Sequence, residues 1–224
     1  MDSHSRSRDL VAELMIIAGR VASLYAKSNK IPIIHRCQDD PYSLYESPDP
    51  NMPEYLQDFY RVRQMHPAYD SVFPYPHYAM GIDGYTRVTS PIRRFTDLVT
   101  HRQFRSWLSE KPLPYTKPRL KQIAMQSTIR QQQNKGLVAQ SQRFWKLLSL
   151  QRTMEKQDGW VDAVVMAIGE DSPRTDLLLL PWFMRVSMPS SKFSFEPKTG
   201  QNIQAQLKKF SPWVGQLEVS ETKP

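Results

Sequence analysis

The sequence predicts an α+β chain: a helix-rich, proline-interrupted segment over 1–158, followed by a small closed β-barrel over 159–224. Three observations carry this. Apolar residues recur at helical spacing through the first two thirds, and at Gly159 the pattern changes to period two. The 18 prolines against 8 glycines favour long extended connections and argue against a glycine-rich phosphate loop.

Leu10, Leu14, Ile17, Val21 and Leu24 fall on one helical stripe, with Ser5 or Ser7 available as a cap, so the first helix spans about 8–28 and Pro32 bars its continuation. From Cys37 to Tyr60 there are six acids, no base, and Pro41, Pro48, Pro50 and Pro53, the composition of an acidic surface loop. A short helix is expected at 54–66, then extended chain at Pro67, Pro74 and Pro76, then a strand over 78–88. Ser90-Pro91 has the form of a helix start, because serine caps free amides and proline has no amide to lose in the first turn. That helix should run to about Leu108, burying Ile92, Phe95, Leu98 and Val99. A long helix follows over about 119–155, apolar at Leu120, Ile123, Ile129, Leu137, Phe144, Leu147 and Leu150. Beyond Gly159, the alternations Val161/Ala163/Val165 and Ile203/Ala205/Leu207, then Val214, Leu217 and Val219, are separated by turns at 169–173, 189–191, 197–200 and 211–212. Four or five short strands in so few residues are the pattern of a small barrel.

Thirty basic residues against 22 acidic ones give 224 residues a formal charge of +8, which favours a polyanionic partner, nucleic acid first. The excess is local: residues 111–157 hold ten basic residues and one acid, Glu155. A single cysteine, Cys37, excludes an intramolecular disulfide framework and a multi-thiolate zinc site. The five histidines show no metal-ligand spacing, and no metal ligand set is expected. Asp39, Asp40, Glu46 and Asp49 are the one local group of carboxylates, better suited to a solvated acidic loop than to a metal. No run of 18 apolar residues exists, so no membrane partner is expected, and Met1 to Asp9 lacks the apolar stretch of a secretory signal.

The most specific local string is Tyr85-Thr86-Arg87-Val88-Thr89-Ser90-Pro91-Ile92-Arg93-Arg94-Phe95-Thr96-Asp97-Leu98-Val99-Thr100-His101-Arg102. An extended segment entering a helix with two guanidiniums at its start is an anion cradle: backbone amides, the positive end of the dipole and planar donors favour a phosphate. The competing account is a plain capped helix, with Arg93 paired to Asp97 one turn on and Arg94 solvated.

This string resembles the Tyr-x-x-x-Thr-Ser-Pro-Ile-Arg-Arg-Tyr-x-Asp-Leu-x-x-His-Arg signature of the RNB family, the ribonuclease II and ribonuclease R exoribonucleases. The first helix, Leu10 to Ala18, is similar to the family's Leu-Val-Glu-Glu-Phe-Met segment, and Ile31-Pro32 with Arg36 to the family's Ile-Pro…Tyr-Arg segment. The long helix with Phe144-Trp145 and a terminal OB-type barrel come in the family's order, the pair looking most like the fungal mitochondrial branch.

The resemblance implies the C-terminal half of an RNB catalytic domain over 1–158 and an OB-type RNA-binding barrel over 159–224. It assigns Arg93 to the scissile phosphate, Arg94 to its support, and Glu13 to the ribose near the 3′ end. Tyr85, Ser90, His101 and Arg102 would shape the channel floor, by packing or by contact, while Arg130, Lys135 and Arg143 are the RNA-binding candidates of the long helix. The family's cofactor is Mg2+, held by an aspartate cluster that precedes everything matched here, so the chain alone is expected to bind single-stranded RNA and not cut it. Its expected protein partners are the missing half of the enzyme or a helicase or ribonucleoprotein component, and its expected location mitochondrial, otherwise cytoplasmic. Phe95, Gly19 and Gln140 depart from the family pattern. They motivate the alternative of a non-catalytic RNA-binding or ribonucleoprotein component derived from such an enzyme.

Overall fold

The computed structural model describes residues 5–41, 50–154, 159–168 and 173–224. Glu46 and Asp49 of the acidic loop lie outside the described residues. The chain forms two compact units, Met1–Glu46 with Val62–Gln133, and Ser47–Arg61 with Asn134–Pro224.

In the first unit, helix α1 spans Arg6–Ser28, with Asp9 in its first turn and Lys27 in its last, each favourable to the helix dipole. Ser5 precedes it in extended conformation and takes the amides of Arg8 and Asp9 on its carbonyl, without a side-chain cap. The helix ends ahead of Pro32, where Asn29 Nδ2 donates to the Tyr25 carbonyl and Lys30 turns left-handed. Its buried face is the small one, Gly19, Ser23 and Ala26. The apolar stripe Leu10, Leu14, Ile17, Val21 and Leu24 is 45–61% exposed, and Leu14, Ile17 and Val21 of it, with Phe104 and Leu108, line an open apolar groove. Gly19 explains the choice of face: a Cβ there would overlap the Tyr85 ring and the Thr86 carbonyl, so only glycine allows so close an approach.

Strand β1 (His35–Cys37) pairs antiparallel with β2 (Tyr69–Ser71), and β3 (Pro76–His77) with β4 (Ile82–Asp83), which ends the expected 78–88 strand almost as it begins. Residues 78–80 instead form a 3-10 turn, and Gly81 and Gly84, at φ 61° and 77°, break the extension. Beyond them the backbone bonds elsewhere: the Tyr85 carbonyl accepts from the Arg36 amide at 2.8 Å, and the Thr86 amide donates to the Gly19 carbonyl at 3.3 Å.

Helix α3, after the short α2 (Glu54–Gln64), spans Phe95–Leu108, four residues later than Ser90-Pro91 implied. Residues 90–94 form a turn ahead of it, with the amides of Arg93 and Arg94 on the Ser90 carbonyl and Arg94 as the capping residue. Of the expected buried stripe only Val99 is fully covered; Leu98 is half-buried, and Ile92 and Phe95 are exposed. The covered face is largely polar, and each group is satisfied. Thr100 Oγ1 donates to the Thr96 carbonyl, and Gln103 donates to the Pro32 and Tyr115 carbonyls and accepts the Tyr115 amide.

Helix α4 spans Lys117–Met154, matching the long helix expected. Its first turns enter the core of the first unit at Leu120, Ile123 and Ala124, beside Ile34 and Val99. Its last turns enter the core of the second at Leu147 and Leu150. Ile129 and Leu137, between them, are exposed.

The second unit holds a five-stranded antiparallel sheet: β5 (Trp160–Ile168), β6 (Arg174–Leu179), β7 (Met184–Pro189), β8 (Asn202–Ser211) and β9 (Gln216–Lys223), in the order β7-β6-β5-β8-β9. The edge strands β7 and β9 approach each other, so the sheet is a nearly closed barrel. Val161, Ala163, Val165, Ile203, Ala205 and Leu207 point into its core, as their alternation implies, whereas Val214 sits exposed in a turn. The outer face of β5 is covered too: Val164 and Met166 pack with Leu56 of α2, and Tyr60 donates its hydroxyl to the Met166 carbonyl.

His35 is buried, with Nδ1 3.1 Å from Ser23 Oγ, and burial lowers its pKa to about 4. An unfolded histidine titrates near 6.5, so the unfolded chain binds the extra proton first and stability falls with pH from about 6.5 to 4. The loss should reach about 3 kcal/mol, and His35→Gln should flatten that window in urea unfolding measured across pH.

Candidate nucleic-acid interface

The segment from Tyr85 to Arg94 is irregular, yet anchored at almost every residue. Thr86 is fully buried, its Oγ1 donating to the Ile34 carbonyl at 2.6 Å. Arg87 Nη2 reaches both oxygens of Asp70 at 3.0 and 3.1 Å, and Arg36 Nη1 reaches Oδ1 at 3.0 Å. Gln131 of α4 adds a longer contact at 3.4 Å. The Asp70 side chain is 1% exposed, so a single carboxylate, between two guanidiniums, holds β1, β2 and the irregular segment together.

A second buried carboxylate repeats the device at the helix start. Asp97 in the first turn of α3 accepts the Ser90 amide at 3.0 Å, and Arg94 Nε lies 3.1 Å from the same oxygen, an ion pair not oriented as a hydrogen bond. Arg94 Nη2 donates to Thr89 Oγ1 at 3.2 Å. The two neighbouring arginines are thus opposite in kind: Arg94 is half-buried and committed to the protein, while Arg93 is exposed and makes no side-chain bond among the described residues. The sequence alternative had them reversed, with Arg93 on Asp97 and Arg94 solvated.

The remaining candidates are spread over both units. Tyr85 is buried, its ring edge-on to His77 at 6.1 Å, and burial raises its hydroxyl pKa. His101 Nε2 lies 2.6 Å from the Val88 carbonyl, and Arg102 Nη1 donates to Tyr115 Oη at 2.8 Å. Glu13 is exposed on α1, and Arg130 and Lys135 are exposed on α4. Arg143, in the second unit, donates from Nε to the Gly215 carbonyl at 2.8 Å. Asp70 and Gln103 escaped the sequence reading, as did Trp213 in the β8–β9 turn.

Among the described residues no three His, Cys, Asp or Glu side chains converge as a metal site, so they do not fit Mg2+, which needs several converging oxygens. Asp39 and Asp40 are exposed, Asp39 accepting the Tyr69 hydroxyl at 2.9 Å. Burial, with Asp39 adding to it, pushes Tyr69 up to about 12. Cys37 is fully buried, and burial raises its thiol to about 11, far from a reactive thiolate.

Residues 1–110 match the RNB domain. The chain belongs to the RNB family. It is 33% identical over 169 residues to an uncharacterized ribonuclease of Synechocystis, covering 75% of this chain and 25% of that protein. To the mitochondrial exoribonuclease II of Schizosaccharomyces pombe it is 34% identical over 124 residues, 50% of this chain and 13% of that one. Its fold superposes on an active-site mutant of the Dss1 exoribonuclease of Candida glabrata with a TM-score of 0.79 at 23% identity, over 94% of this chain and 28% of that one. Mycoplasma genitalium RNase R, in complex with ribose-methylated single-stranded RNA, also gives 0.79, at 16% identity over 97% and 42%. The chain therefore spans 25% of the Synechocystis ribonuclease and less of the fission-yeast enzyme. No described helix is long and apolar enough to cross a membrane.

Asp70→Ala leaves two partly buried guanidiniums without their counter-charge and should cost about 3 kcal/mol or more. Asp58→Ala, at the exposed Asp58–Arg61 pair, should change stability by less than about 0.5 kcal/mol. Urea unfolding of both variants checks the contrast.

Proposed function

We propose that this chain is the RNA-binding C-terminal portion of a 3′–5′ exoribonuclease. The observation that carries the reading is the division of labour at the start of α3: Arg94 is locked to Asp97 and Thr89, so the backbone presents Arg93 as a free guanidinium, suited to a phosphate. Arg93 is the phosphate-holding residue, Arg94 its support, and Glu13 the ribose contact. Ser90, His101, Arg102 and Tyr85 act by shaping the backbone around them. Arg130, Lys135 and Arg143 contribute diffuse attraction for the strand.

We take the barrel as OB-type. Counted from β5, its strands neighbour one another in the order first, second, third, fifth, fourth and back to first, supported by the pairing order and the approach of β7 to β9. Magnesium, which activates water and neutralises the leaving oxygen, would be held by carboxylates outside the described residues of this chain. The rest of the catalytic domain is the natural cover for the exposed apolar stripe of α1. The name of the fission-yeast relative supports a mitochondrial setting.

The purified 224-residue chain, given end-labelled single-stranded RNA and Mg2+, should bind without shortening it, and affinity should fall steeply with salt. Arg93→Ala should change affinity by no more than roughly twofold, because many cations share the binding. A salt-independent affinity would remove RNA as the partner. Processive trimming that survives Asp39→Ala and Asp40→Ala would overturn the assignment of the metal site to another segment.

A further inference from the structure

We infer that the β8–β9 turn and the adjoining stretch of α4 form a nucleobase-stacking platform, in which Trp213 takes an unpaired base of a single-stranded RNA. The inference rests on the RNA-binding reading above and adds to it a site formed by three aromatic rings. Phe144 lies between two indoles, 5.1 Å from the Trp213 ring at 60° and 5.2 Å from the Trp145 ring at 84°. Both indoles face solvent: Trp213 is 87% exposed and Trp145 63%. An indole that open forgoes burial of its large apolar surface, which a planar π partner would restore.

The turn is held in place. Arg143, next to Phe144 in sequence, donates from Nε to the Gly215 carbonyl at 2.8 Å, and the Gly215 amide donates to the Pro212 carbonyl at 3.3 Å. Gly215 has φ 69°, where a side chain would be strained, and a Cβ would sit 3.5 Å from Arg143 Nε. Trp213 is therefore presented by a short, pinned turn, which lowers the ordering cost of binding.

Charge complementarity selects the occupant. From 134 to 154, α4 carries Lys135, Arg143, Lys146 and Arg152 and no acid, and β8 adds the exposed Lys208 and Lys209. Glu218, on β9, lies opposite Lys209 in register and accepts a hydrogen bond from Gln216. Aromatic faces interleaved with cations are the chemistry of sequence-tolerant single-strand binding, where each base–ring stack contributes and the cations follow the phosphates. The turn joins the fourth and fifth strands of the barrel, and in five-stranded barrels of this kind that loop borders the oligonucleotide face.

The test is a cycle of fluorescence anisotropy titrations, pairing the wild-type chain and Trp213→Ala with a uridine-rich 12-mer and with the same strand bearing abasic sites. Wild type should prefer the base-bearing strand, Trp213→Ala should bind that strand about five- to 150-fold more weakly, and the preference should collapse in the variant. Trp213→Phe, which keeps a stacking face, should retain most of the affinity. Unchanged binding by Trp213→Ala, or an equal loss on both strands, would overturn the platform while leaving RNA binding intact. If wild type bound neither strand, the RNA-binding reading would fall and the platform with it.

Discussion

The Asp70 carboxylate, buried between Arg36 and Arg87, is the constraint on which the first unit depends. Removing a carboxylate from water is costly, and Asp70 is tolerated because two guanidiniums and an amide converge on it. The consequence is geometric. β1, β2, the irregular run after Gly84 and α4 all send a group to one point, so the run cannot slide along its neighbours. Thr86 adds a fixed bond to the Ile34 carbonyl, and Gly19 lets α1 close down on Tyr85.

Asp97 extends the same logic by one step. It takes the Ser90 amide, which pulls the turn back against the first turn of α3, and it holds Arg94. This is why the helix begins at Phe95: the Ser90 amide is satisfied by a side chain from within the helix, so residues 90–94 close a separate turn. With both carboxylates occupied by Arg36, Arg87 and Arg94, Arg93 has no internal counter-charge among the described residues. A guanidinium left unpaired in this way can take an external anion without first breaking a bond of the protein.

The elements legible in the sequence are those set by local periodicity. The spans of α1 and α4, the end of α3 at Leu108, and the inward residues of β5 and β8 follow from spacing alone. What escaped is set by distant partners. Asp70 meets Arg36 across 34 positions and Arg87 across 17, and nothing near it in sequence marks it out. The orientation of α1 was hidden for a related reason: its apolar stripe predicts a helix but not which face packs, and the face that packs is chosen by Gly19 against Tyr85. Trp213 sits in a turn flanked by Pro212 and Gly215, where composition indicates a turn but not that the ring stays open beside Phe144.

The proposed function assigns affinity and positioning to different parts of the chain, for a physical reason. Most of the cations of α4 are exposed, and they are spaced along its 38 residues. Their attraction for a polyanion is summed over many weak, salt-screened contacts, and no one of them is decisive. Arg93 is a single group on a backbone fixed by two buried carboxylates, so in the proposed role its contribution would lie in where it holds a phosphate rather than in how much it adds to binding. The stacking surface proposed at Trp213 would be a third kind of term, short-ranged and insensitive to salt, resisting sliding of a strand more than attracting it. The three proposed terms, charge, stacking and alignment of a phosphate, would fail under different conditions, and each can be removed without removing the others.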